Sequence, residues 1–172
     1  YFHGYALYNI DENLGLGVAY SRVDFSNETE VRIVLDPNRS LTGLMSDDRG
    51  IEYIAATLHY RPLQFGWADR LSIIVGLGLL RFDSESTMIF PYRLEGTAIG
   101  AHVGASLEIS LGGGFYLPIK AGIKGFSVYG LNVSTSPDMP QEISTFLNWT
   151  YNSQFGMDLS RFEIGTGIVF TF

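Results

Sequence analysis

The sequence predicts an all-β chain: an eight-stranded antiparallel up-and-down transmembrane β-barrel, one domain over residues 1–172. Three observations predict it. Phe162, Ile164, Thr166, Ile168, Phe170 and Phe172 alternate with Glu163, Gly165, Gly167, Val169 and Thr171. A period of two marks a strand with two unlike faces. Seven earlier segments repeat the same sorting, an aliphatic and aromatic face set against one of glycine, hydroxyls, amides and charges. The composition combines 20 glycines, 12 Phe and 10 Tyr with only 17% charged residues, which suits strands whose outer face meets lipid and whose ends carry aromatic girdles.

Taken in order, residues 1–10 form the first strand and Asp11, Glu12 and Asn13 the turn that follows. Residues 14–25 place Leu14, Leu16, Val18 and Tyr20 opposite Gly15, Gly17, Ala19 and Ser21. The alternation resumes at Val31, Ile33 and Leu35, so this strand is expected to run past the membrane and return after Asp36-Pro37-Asn38. Residues 51–61 set Ile54, Ala56, Leu58 and Tyr60 against Ala55, Thr57, His59 and Arg61, and Pro62 is expected to end the strand. Residues 71–82 turn Ile73, Val75, Leu77 and Leu79 outward and Ser72, Gly76 and Gly78 inward, with an extension toward Met88, Ile89 and Phe90.

The fifth strand, 96–109, opposes Ile99, Val103 and Leu107 to His102, Ser106 and Glu108, and Gly112-Gly113-Gly114 makes a hairpin turn. Residues 115–129 oppose Leu117, Ile119 and Ile123 to Tyr116, Lys120 and Lys124. The seventh strand is expected at 145–155, with Leu147, Trp149, Tyr151 and Phe155 on one face, and a last hairpin turns at Gly156-Met157-Asp158. Each segment matches the ~9–11 residues with which a tilted strand crosses a bilayer. In a soluble barrel, lipocalin-like or otherwise, the aliphatic face would point inward. Here that face is the more continuous one.

Composition also bounds the function. No run of 18 apolar residues exists, which leaves no transmembrane helix. A formal charge of −7 offers no basic patch for nucleic acid. Zero cysteines exclude disulfides and thiolate chemistry. Nothing in the sequence calls for a cofactor. Tyr1 opens directly into a strand pattern with no signal peptide, so the numbering is expected to start after processing or a trim.

The spacing of Gly167, Phe170 and Phe172 resembles the carboxyl-terminal signal of bacterial outer-membrane β-barrels. The architecture as a whole is similar to the small OmpA- and OmpX-like barrels, while the motif-level likeness is confined to this last strand. The resemblance implies a Gram-negative outer membrane, surrounding lipid and lipopolysaccharide, and recognition of the last strand by the barrel-assembly machinery. It also implies that the carboxyl-terminal aromatic lies at the periplasmic side. With eight strands, the long connections at about 26–50, 83–95 and 130–144 then fall on that same side, the reverse of the usual arrangement. Either the strand count is off by one, or the hairpins do project into the periplasm. The second is favoured, and hairpins of that length there fit a non-enzymatic structural or accessory subunit that binds other envelope proteins. A narrow channel or a lipid-modifying enzyme is the alternative.

The inward charges His59, Arg61, His102, Glu108, Lys120, Lys124 and Glu163 are expected to form a polar network filling the lumen, with Glu108 and Lys120 paired across one hairpin. His102, Ser106 and Glu108 share a face and are the best enzymatic set, although enclosed far from lipid. Asp47, Asp48, Asp83 and Glu85 are candidate divalent-cation ligands, but their spacing matches no calcium loop. Four Asn-x-Ser/Thr triplets start at Asn27, Asn38, Asn132 and Asn148, at a frequency chance supplies. Phe65, Trp67, Trp149 and Tyr151 read as interfacial anchors.

Overall fold

The computed structural model describes residues 2–63, 70–87, 90–152 and 156–170. The chain is mostly β, an antiparallel sheet curled into a half-barrel with one short helix. Six strands form consecutive hairpins: β1 (Phe2–Asn9), β2 (Leu14–Asp36), β3 (Arg39–Leu63), β4 (Arg70–Thr87), β5 (Pro91–Gly112) and β6 (Phe115–Gly125). Four short elements follow: β7 (Ser127–Val128), β8 (Asn132–Thr135), α1 (Gln141–Asn152) and β9 (Met157–Asp158). The chain then returns to the sheet as β10 (Arg161–Thr166) and β11 (Val169–Phe170), both paired with β6.

Local chemistry sets the turns. Asp11 accepts hydrogen bonds from the Asn13 and Leu14 amides at 2.7 and 2.8 Å, closing the β1–β2 turn. Asp36 does the same for the Asn38 amide, and Pro37–Asn38 reverses the chain into β3, as the sequence predicts. Gly112, Gly113 and Gly114 all adopt positive φ, a path that a side chain would strain. Pro62 does not end its strand. The ladder with β4 shifts register between Tyr60 and Leu63, so the proline sits in a bulge where no ladder donor is needed.

The expected strand at 145–155 is wrong. Residues 141–152 are α1. Ile143 and Leu147 are buried one helical turn apart and Tyr151 lies half-buried on the same side, while Phe146 and Trp149 are exposed. Pro140 opens the helix and its carbonyl accepts the first bond, from the Ser144 amide. Three alternating apolar residues imitated a strand. The hairpin expected around Gly156-Met157-Asp158 is absent too, because β9 pairs with β7 and not with β10.

Losing that crossing reverses the topology. Seven strand positions remain in the order β1-β2-β3-β4-β5-β6-β10. The turns at 10–13 and 112–114 lie at one end, and there Phe170 pairs with Phe115. The long β2–β3 hairpin, the β4–β5 connection and the 126–160 excursion lie at the other end. Phe170 is therefore on the short-turn side, not with the long hairpins.

The concave face is apolar toward the long-hairpin end and polar toward the short turns. Tyr53, Leu80, Phe82, Leu94 and Phe126 are almost completely buried there and are roofed by Leu131, Met139, Ile143 and Leu147. β6 leaves the sheet at Gly125, opposite Ala101, and β8 takes its place further along β5, where it pairs Asn132–Thr135 with Tyr92–Glu95.

Candidate functional site

Three features converge on the short-turn half of the concave face: a ring of charged side chains, a cavity of about 730 Å³, and the seam where β1 and β10 face each other. Alternation carries the charges inward from β3, β5, β6 and β10. Glycines on neighbouring positions make room for them. A Cβ at Gly76 would collide with the His102 ring, and one at Gly100 would collide with Phe126. Small inward residues thus set where the large ones fit.

All seven inward charges expected from the sequence line this face. They divide into two groups. Nearer the long hairpins, Glu163 Oε2 lies 2.9 Å from Lys124 Nζ and its Oε1 accepts from Arg161 Nε at 2.6 Å. Lys124 also donates to Ser21 Oγ across the curl at 2.9 Å, and the Tyr53 hydroxyl pairs with His102 Nδ1 at 2.9 Å. Nearer the short turns, Tyr5 is the hub. Its ring stacks on His59, its face receives the Lys120 ammonium at 3.3 Å, and its hydroxyl donates to Glu108 at 3.4 Å. The expected Glu108–Lys120 ion pair does not form. Register sets Lys120 opposite Ser106 and Glu108 opposite Pro118, and Tyr5 stands between the two charges.

This second group is unevenly satisfied. Among the described residues, buried Arg61 has no hydrogen-bond partner for its Nε, and the buried Ser72 and Ser106 hydroxyls have none either. Arg70 lies over the Tyr116 ring at 4.9 Å. Arg61, Arg70, Lys120 and Lys124 face a cavity that Glu108 and Glu163 answer. A chain of net charge −7 has gathered an excess of cations inside.

The other candidates disperse. His102 spends its Nδ1 on Tyr53, and the Ser106 hydroxyl makes no hydrogen bond among the described residues, so the His-Ser-Glu set lacks the nucleophile–base contact acyl transfer needs. Asp47 turns inward to the Ser84 and Ser86 hydroxyls, while Asp83 turns to Arg93. Among the described residues no group of three or more His, Asp or Glu converges on a metal position. Gly167 lies between β10 and β11 with open space on its side-chain face, and Phe170 packs its ring 4.8 Å from Phe115. Phe172, Phe65 and Trp67 lie outside the described residues. Trp149 and Tyr151 are carried by α1 and not by a strand.

Sequence reasoning missed Tyr5, Tyr53, Arg70 and Ser21. Their inward parity was readable, but their partners lie across the curl.

No protein-family model matches the chain, and no curated protein matches it.

Proposed function

We infer that the chain is an integral β-barrel of the bacterial outer membrane, eight-stranded when closed, with a non-enzymatic structural or accessory role. One observation carries this reading: the two faces of the sheet exchange character along a single register line. On β4 the outward residues run Ile73, Val75, Leu77, Leu79 and then Arg81, Asp83, Glu85, while the inward ones run Ser72, Ile74, Gly76, Gly78 and then Leu80, Phe82, Ser84, Ser86. The same switch falls on β2, β3 and β5. Tyr20, Ile54, Leu79 and Ile99 are successive cross-strand partners, and one step toward the long hairpins the partners are Arg22, Glu52, Arg81 and Thr97.

Below that line the protein has its aliphatic side out, as lipid requires; above it the aliphatic side is in, as water requires. From Ile99 to Ile109 the outer belt covers roughly 33 Å of strand, or about 25 Å when tilted as barrel strands are. In water such a belt would be an exposed apolar surface far beyond what soluble monomers carry.

The long β2–β3 hairpin supports the partner-binding role. Its ladder with β4 ends at Ser46, so its tip is a two-stranded ribbon with Val34 and Leu44 exposed. Such ribbons are marginal alone in water. A protein partner on that ribbon would stabilise it.

Single cysteines at Asn38 and Glu12, labelled on intact expressing cells with a membrane-impermeant maleimide, test the reading. Asn38→Cys labels and Glu12→Cys does so only after permeabilisation. The reverse pattern would turn the hairpins to the periplasm. A chain recovered in the soluble fraction would end the membrane reading.

A further inference from the structure

β1 and β10 are the two ends of the sheet, and among the described residues no ladder joins them. Six antiparallel steps separate them, so they run in the same direction. If the belt lies in lipid, both edges are at membrane depth, where every unpaired backbone N–H or C=O costs several kcal/mol. A single strand antiparallel to both would satisfy each edge and restore the alternation of directions. No small ligand can pair two rows of backbone groups.

We propose that the seam between β1 and β10 receives one further β-strand whose inward residues are acidic and whose outward residues are aliphatic. This rests on the membrane reading above. The polarity of the strand follows from what it would face. Inward, it meets the cavity where Lys120 sits over the Tyr5 ring, attracted by Glu108 but not ion-paired to it, and where Arg61 Nε has no hydrogen-bond partner among the described residues. Carboxylates there would complete charge-assisted bonds that Glu108 and Glu163 are too few to supply. Outward, it would continue the belt of Ile123, Phe162 and Ile164, all of them exposed. The strand runs from the short-turn end toward the long hairpins, opposite to β1. Its occupant is a strand of a separate partner polypeptide with this chemistry, recognised by the excess of cations that line the cavity.

The probe is a synthetic 11-residue peptide with Leu and Val at one parity and Glu, Ser and Gly at the other, carrying one central outward Cys. A counterpart has Lys in place of Glu. Ala6→Cys on β1 and Ile164→Cys on β10, both outward positions, are refolded separately in octyl glucoside and oxidised with each peptide.

The acidic peptide is expected to cross-link to both variants, at least tenfold more than the Lys peptide, and to increase the fraction of chain that floats with liposomes. Three results would overturn the proposal: a direct disulfide in an Ala6→Cys, Ile164→Cys double variant without peptide; cross-linked dimers of the chain; or dodecyl phosphate displacing the peptide, which would assign the opening to an anionic amphiphile. Flotation without any response to peptide removes the strand alone. Failure to float under either condition removes the membrane reading itself.

Discussion

The two halves of β4 share a backbone, a ladder and a period, yet they obey opposite rules. In the belt half Leu77 is 68% exposed and the inward positions are Ser72, Ile74, Gly76 and Gly78; in the extended half Phe82 is 1% exposed and the outward positions are Arg81, Asp83 and Glu85. The difference shows that hydrophobic alternation fixes which residues share a face but not which face is the inside. That is decided by the surrounding solvent, and under the membrane reading proposed above this molecule has two.

The largest test of the contrast is Phe82→Ala. In the water-facing half the ring is core, so its loss is expected to cost about 3–5 kcal/mol and to raise hydrogen exchange in the extension while leaving the belt protected. Equal loosening of both halves would mean that they are one cooperative body with one core.

Leu77→Arg probes the other half. If the belt faces lipid as proposed, a charge there costs about 2–4 kcal/mol near the bilayer centre, so the refolded yield in liposomes should collapse. Glu85→Arg, with the same outward parity on the same strand, should change stability by less than about 0.5 kcal/mol. Equal effects at the two sites would erase the boundary between them.

The extended half should also respond to acid. Burial pushes the Asp47 carboxyl up, but hydrogen bonds from Arg49, Ser84 and Ser86 outweigh it and hold the group below the ordinary aspartate value. A depressed carboxylate stabilises fully above its unfolded value of about 4, and that stability disappears as pH falls through the lower folded value. Exchange in the extension should therefore accelerate below about pH 4, and Asp47→Asn should flatten that dependence.

The smallest effect concerns α1. Trp149→Ala, at an exposed position, should move stability by less than about 0.5 kcal/mol, whereas Leu147→Ala should cost about 2–4 kcal/mol. A strand at 145–155 would instead put both residues on one face with similar costs.

Much of this was readable from residue types. The outward and inward sets of β2 to β6, the reversal at Asp36-Pro37-Asn38 and the seven inward charges follow from parity, a local property. α1 was misread because Leu147, Trp149 and Tyr151 satisfy period two, while the helical spacing of Ile143, Leu147 and Tyr151, four residues apart each, also fits one face of a strand. The network around Tyr5 was not readable at all. Its contacts with Lys120 and Glu108 span more than 100 positions and depend on how tightly the sheet curls. Miscounting one strand then inverted the expected sidedness, since every crossing exchanges the ends.

The line through Arg22, Glu52, Arg81 and Thr97 has one more consequence, for strand alignment during assembly. A slip of one residue exposes the wrong face and is rejected anywhere in the sheet. A slip of two keeps every face correct, and in a uniform sheet little would oppose it. Here it would draw Arg81 to the level of Leu79, or Leu79 up among the charges. The reversal therefore works as a vernier: parity sets the fine scale and the charged line sets the absolute mark, leaving each pair of strands one alignment.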